Sequence, residues 1–205
     1  MPKFAQDVID FHAAMQLPLL DMTKDAINSN LAVRKRLIDE EVLREFIPAY
    51  TLYWHAEQPT TELTAEVLDA VTDSVYVLLG ATIALESYHG TQVREPSTLS
   101  HEWHYLSEFL TDLSYAYSLL ENLNGTGEWQ VSQAASLSAA NVFHRCISRL
   151  IDLGYLMADT KFDLIWREVH KTNMAKSLGP KVNGKQLKPE GWEPPNIKAI
   201  LEGTV

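Results

Sequence analysis

Glu62, Glu66, Asp69 and Asp73 follow one another at spacings of four, three and four. At 100° per residue this sets four carboxylates on one narrow stripe of a helix running from Thr61 to Leu85. Val67, Val71, Val75 and Leu78 take the opposite side and face a core. From Ser74 to Leu85 there is no charge, and the stripe continues as Val77, Gly80 and Ala84. Acids that lead into a buried half-helix repel one another and lose hydration unless a cation compensates them. A divalent metal with oxygen ligands is the simplest compensation. The competing reading is a solvated face of an ordinary amphipathic helix.

A second acidic set lies in the segment from Leu37 to Phe46. Leu37, Ile38, Val42 and Phe46 form an inward arc, and Glu41 and Glu45, four apart, stack at its edge. Glu40 and Arg44 read as a surface ion pair. Two antiparallel helices that present carboxylates toward each other make a metal cage. No Ser/His/Asp or Cys/His set suggests a covalent nucleophile. The single Cys146 excludes an internal disulfide and a cysteine-based zinc site, and it reads as a core thiol. His101, His104 and His144 lack a ligand spacing on one face and read as packing or surface residues. Among the aromatics, Tyr53-Trp54-His55 and Trp103-His104-Tyr105, Trp54 is the candidate for stacking on a nucleobase.

The elements that must position these groups are helical throughout. The pattern predicts helices over about 3–15, 31–55 with a kink at Pro48, 61–87, 99–123, 131–157 and 160–173. The stretch 22–30 is ambiguous, with room for a short helical turn. Gln58-Pro59-Thr60-Thr61 supplies the break and N-cap of the acid-striped helix. Asn124-Gly125-Thr126 reads as a turn rather than a glycosylated sequon, and residues from Lys176 onward read as an irregular tail. The result is an all-α helical bundle in a single domain spanning 1–205.

The chain has 205 residues, 46% hydrophobic and 21% charged, with a net charge of −10. That balance describes a globular protein and disfavours nucleic acid as a partner. Eight Lys and Arg against five Asp and Glu lie between Lys161 and Val205, so an acidic body carries a basic C-terminal part. This arrangement suits metal on one side of a site and anionic oxygens on the other. A solubilising basic tail is the plainer reading. No apolar run reads as a membrane span, and the opening MPKFAQDVIDFHAAM does not read as an export signal. The expected compartment is cytoplasmic.

Certain of these residues match a known pattern. Glu40-Glu41 with Glu45, then Glu66 and Asp69 followed by Asp73 and Tyr76 to Gly80, resemble the MazG-like nucleoside triphosphate pyrophosphohydrolases. That family is all-α, with EExxE on one helix and ExxD on the next. Val169-His170-Lys171-Thr172-Asn173-Met174-Ala175-Lys176, Asn183-Gly184-Lys185, Lys188 and Pro194-Pro195 are similar to the ending of its small phage and bacterial members. Val8-Ile9-Asp10-Phe11-His12 is similar to their opening. The resemblance covers roughly residues 3–87 and 160–200. It implies that about 90–158 is a helical insertion, serving as a subunit interface or a lid, and that about 174–205 is a C-terminal tail.

The resemblance further implies Mg²⁺ or Mn²⁺ held by Glu41, Glu45, Glu66 and Asp69, with Asp73 and Glu40 as further ligands. Those first four carboxylates would carry catalysis, with water attacking the α-phosphorus of a nucleoside triphosphate to give monophosphate and pyrophosphate. Lys171, Asn173, Lys176 and Lys185 would contact phosphates. A homodimer or homotetramer is implied, in the nucleotide-pool setting of a phage-infected cell, with dGTP, dUTP or a damaged nucleotide as substrate. One departure stands out: EExxE expects an acid at position 44, which is Arg44 here, with the acid one residue on at Glu45. A helical dUTPase-like hydrolase and a non-catalytic helical interaction protein are the alternatives.

Overall fold

The computed structural model describes residues 2–97, 106–121, 132–182 and 185–204. Helix α1 spans Phe4–Ala14 and α2 Lys24–Ile38. A π-helical segment over Asp39–Phe46 then leads into α3, Ile47–His55. The long α4 spans Thr61–Tyr88, α5 Leu106–Glu121, α6 Gln133–Ala158 and α7 Lys161–Lys176. A two-residue antiparallel ladder pairs Lys181–Val182 with Lys185–Gln186, and α8, Ile197–Glu202, follows. The architecture is all-helical, as the sequence pattern predicts.

Helix α4 is the axis. Helices α1, α2, α3, α6, α7 and α8 and the π-helical segment all pack on it, while α5 packs on α6. Thr60 caps its first turn, its Oγ1 accepting from the Leu63 N–H at 3.1 Å. From Ser74 to Glu86 every residue except Val77 is buried. By length and composition α4 is apolar enough to cross a membrane, which corrects the expectation that no run of the chain is; it is also the buried helix around which the others close. At its far end the buried Glu86 takes Arg94 Nε at 2.7 Å and His144 Nε2 at 3.1 Å, giving His144 a packing role. Glu95 then caps α1, accepting from the Ala5 and Gln6 N–H groups at 2.9 and 3.2 Å.

Several boundaries differ from expectation. Helix α2 begins at Lys24, not near Leu31, because Thr23 Oγ1 accepts from Ala26 N–H and Asp25 sits in the first turn. Helix α7 runs on to Lys176, so Met174 to Lys176 are helical rather than tail. The tail is only partly irregular: Asn196 caps α8 through the Ala199 N–H at 3.1 Å, and Gly203 ends it at φ 70°. The region expected as an insertion is built into the core. Phe109, Leu113, Phe143, Ile147, Leu150 and Ile151 are buried within the single chain, so α5 and α6 need no partner to cover those faces. The expectations for His101, Trp103, His104, Tyr105 and the Asn124 turn lie outside the described residues.

Candidate metal and phosphate site

Three elements converge beside the middle of α4. Asp69 and Asp73, one turn apart, are half-buried on its outer face, and Glu41 of the π-helical segment is half-buried opposite them. Ser74 Oγ donates to the Glu41 carbonyl at 3.3 Å and ties the two elements together. From α7 come Asn173, buried, and Lys176, whose Nζ donates to Asn173 Oδ1 at 2.7 Å. A cleft of about 220 Å³ is lined by Asp69, Asp73, Asn173, Lys176, Lys188 and Trp192. A second, of about 230 Å³, shares Asp73, Asn173 and Lys176 with it and adds Phe11, His12, Arg34, Glu41 and Tyr76. The carboxylate wall thus meets the Asn173–Lys176 wall where the two clefts join.

The electrostatics follow from this crowding. Burial, then the charges of Asp73, Glu45 and Glu40, push the Glu41 carboxyl up to about 8, against the pull of Lys176. Burial and the neighbouring Asp69, with a smaller contribution from Glu45, push Asp73 up to about 7, again with Lys176 opposing. Asp69 is raised as well, by burial and by Glu45. Glu41, Glu45, Asp69 and Asp73 therefore share one field, with the Lys176 ammonium set against it.

Position 44 is resolved by the backbone. In the π-helical segment the turn is wider than in an α-helix, so residues four apart overlie more closely and Glu45 stacks on Glu41, whose carboxyl feels its charge. The Ile47 N–H bonds to the Val42 carbonyl, five residues back. Pro48, with no N–H to give, stands in the first turn of α3, directly after the eight residues of widened turn. The extra residue in the turn carries Glu45 to the acidic side. Arg44 stays exposed, and no Glu40–Arg44 ion pair forms among the described residues.

Other expected residues lie elsewhere. Glu66 and Glu40 are exposed and outside the cleft lining, so the structure gathers Asp69 with Asp73 rather than with Glu66. Glu62 is exposed and pairs with Lys198 of α8. Lys171 is exposed and bonds to Glu168 at 3.1 Å, because its helical position faces away from Lys176. Lys185 lies in the short ladder, and its side chain is outside the described residues. Trp54 is 70% exposed at the end of α3, against Tyr50, and lines neither cleft. Cys146 is buried, and burial pushes its thiol up to about 12, which fits an inert core thiol.

The sequence reading missed several groups. Lys188 Nζ sits 3.8 Å from the Trp192 ring centroid, and Trp192 Nε1 donates to the Thr172 carbonyl, closing the tail over the first cleft. His12 Nδ1 donates to the Val8 carbonyl at 2.7 Å, leaving Nε2 to accept from Arg34 at 2.5 Å. Burial and Arg34 hold His12 down at about 4, hence neutral. Arg34 fits because residue 80 is glycine: a Cβ there would lie 2.5 Å from its Nη1. The only signals were the Phe11-His12, Val169-His170 and Lys188 parts of the family pattern, and none of them assigns a role.

Among the described residues no three His, Cys, Asp or Glu are already gathered closely enough to hold a metal ion by themselves. The donor set fits a hard divalent cation in kind, being carboxylate oxygens from two elements that carry more negative charge than Lys176 offsets. Compared with protein-family models, with curated proteins and with solved structures, the chain matches none.

Proposed function

We propose that the protein is a divalent-cation-dependent nucleoside triphosphate pyrophosphohydrolase that releases a nucleoside monophosphate and pyrophosphate. The observation that carries this reading is the meeting of Glu41, Asp69 and Asp73 with Asn173 and Lys176 where two adjoining clefts share Asp73, Asn173 and Lys176. Glu41, Asp69 and Asp73, with Glu45 at the rim, would hold Mg²⁺ or Mn²⁺. Such an ion supplies charge neutralisation for the phosphates and a more acidic attacking water. Incomplete gathering of ligands suits a cation that completes its shell with substrate phosphate oxygens.

The chain's own groups do the rest. Lys176 Nζ and the Asn173 amide neutralise and orient phosphate oxygens on the wall facing the acids. Glu45, the most exposed of the four, accepts the proton that the attacking water gives up. Beyond Arg34 the second cleft opens into a chamber of about 420 Å³ between α1 and α2, sharing Phe11, His12, Arg34 and Leu37 with it. Its size and mostly apolar walls suit a base and sugar. A non-catalytic bundle predicts carboxylates diverging into solvent, and Asp69, Asp73 and Glu41 instead turn into a cleft.

The test is a panel of ribo- and deoxyribonucleoside triphosphates with Mg²⁺ or Mn²⁺, products resolved chromatographically. Monophosphate plus pyrophosphate is expected, lost at least about tenfold in Asp73→Asn. Diphosphate plus phosphate, or no turnover of any triphosphate, overturns the proposal. Turnover confined to dUTP would favour the dUTPase-like variant of it.

A further inference from the structure

Arg34 is only 6% exposed, and two acceptors hold its guanidinium. Nε donates to Asn30 Oδ1 at 3.2 Å, and Nη2 donates to His12 Nε2 at 2.5 Å. Each acceptor is itself fixed by a backbone carbonyl. Asn30 Nδ2 donates to the Pro18 carbonyl at 2.9 Å, and His12 Nδ1 to the Val8 carbonyl at 2.7 Å. The oxygen of the one and the bare nitrogen of the other are thereby turned toward Arg34. On a third side Gly80 lets the guanidinium lie against α4, with Nη1 2.5 Å from where a Cβ would stand. The fork is set in place from α1, α2 and α4 at once.

This setting has no negative charge. The Asn30 amide and the neutral His12 supply none, and among the described residues no carboxylate forms an ion pair with Arg34. Burial lowers the guanidinium only to about 10, so it stays charged at neutral pH. Two of its five N–H hydrogens are engaged, and Nη1 donates to nothing among the described residues. A buried cation without a counter-charge is costly to keep. The side chain lines the second cleft, with Glu41, Asp73 and Lys176, and also the apolar chamber between α1 and α2. It therefore stands where the phosphate-facing walls give way to the space for base and sugar.

We infer that Arg34 is a substrate-binding residue whose unpaired guanidinium edge takes the phosphate next to the nucleoside, in the triphosphate and in the monophosphate product alike. This rests on the function proposed above. The bound phosphate supplies both the missing acceptors and the missing charge. A neutral base carbonyl would satisfy the hydrogens and leave the charge uncompensated, which is why phosphate is the favoured group. Because the guanidinium is anchored before any ligand arrives, little side-chain freedom is lost on binding. Lys176 and Asn173 are then left to the two outer phosphates.

The experiment is calorimetric titration with the four deoxynucleoside monophosphates and their matching nucleosides. It is run in EDTA at pH 6.5, below the values of about 7 and about 8 at which Asp73 and Glu41 lose their protons. At least one monophosphate should bind the wild type about tenfold or more tighter than its nucleoside, the scale of hydrogen bonds to a charged group. Arg34→Gln keeps a donor for His12 and removes the charge, and Arg34→Met removes both. Each should erase the preference for the monophosphate and change nucleoside affinity little, with circular dichroism confirming the helical fold. Should Arg34→Met fail to fold, Arg34→Gln carries the test alone. A preference that survives in Arg34→Gln overturns the inference, as does a wild type that binds no monophosphate. An equal loss for nucleoside and monophosphate also overturns it, since that result belongs to a base contact or to a structural tie between α1 and α2. Turnover does not enter the measurement. A protein that binds monophosphate through Arg34 but hydrolyses no triphosphate keeps this inference and loses the functional reading alone. One that releases pyrophosphate yet shows no Arg34-dependent preference keeps the reading and loses the inference.

Discussion

Raising the pH without divalent cations should melt this protein earlier, and the cleft sets by how much. Glu41 and Asp73, raised to about 8 and about 7, bind protons in the native state that the unfolded chain has already lost. For an acid raised on folding, stability is present below the unfolded value and lost as pH passes the folded one. His12 works in the opposite sense, lowered from 6.5 to about 4, but its contribution is complete above about pH 6.5. Glu86, lowered on folding, has likewise finished titrating by then. The clean window is therefore about pH 6.5 to 8.5, where the two acids ionise. Their proton release across it corresponds to at most about 3 kcal/mol, at about 1.4 kcal/mol per tenfold in proton affinity. Water at the cleft's open side screens part of that, leaving roughly 2 kcal/mol. For a domain of this size that is a fall in Tm of about 4–8 °C. Differential scanning calorimetry in EDTA measures it, and millimolar Mg²⁺ or Mn²⁺ should restore the loss at pH 8.5 while adding little at pH 6.5. A Tm that is flat or rises across the window refutes the reasoning, as does a slope that survives in the double variant Glu41→Gln, Asp73→Asn.

The neighbouring positions 44 and 45 should behave oppositely. Arg44→Ala should leave turnover within about twofold, and Glu45→Gln should cost at least about tenfold; an essential Arg44 with a dispensable Glu45 would contradict the widened turn. Gly80→Ala would force Arg34 off His12 and should destabilise by about 1–3 kcal/mol in urea unfolding. That cost should largely vanish in an Arg34→Ala background, where the clashing guanidinium is absent.

Much of the fold was legible because α4 states it outright. An acid stripe that becomes apolar all round can only be a helix entering a core, and Asp69 and Asp73 mark where it goes in. The extent of α2 was not legible, since Lys24 to Asn30 is polar and its start depends on a hydrogen bond from one threonine cap. The cation wall was half legible. Asn173 and Lys176 are three apart on one face of α7, while Lys171 sits on another, and composition alone weighs all three alike. His170 and Tyr76, 94 residues apart, become partners only through the packing of α7 on α4. No local pattern carries that information.

The segment from Ile38 to Tyr50 shows how a sound pattern reading picks the wrong geometry. Ile38, Val42, Phe46 and Tyr50 are all buried and succeed one another at a constant spacing of four. An α-helix returns to the same side after 3.6 residues, so three such steps drift by about 120° and would swing Tyr50 out of the core. A turn of five-residue hydrogen bonds is wider, and every fourth residue then stays inward over the stretch that needs it. The unbroken spacing of four, without the usual alternation with three, was the sign in the sequence, and the proline two residues past Phe46 was its companion. A helical wheel at 100° per residue erases that sign by assuming the period it should test. Across the same stretch the widened turn keeps Glu45 over Glu41, four residues back, and near Asp69 and Asp73, whose carboxyls both feel its charge. The geometry that keeps the core side in register is thus also what supplies the cleft with its fourth carboxylate.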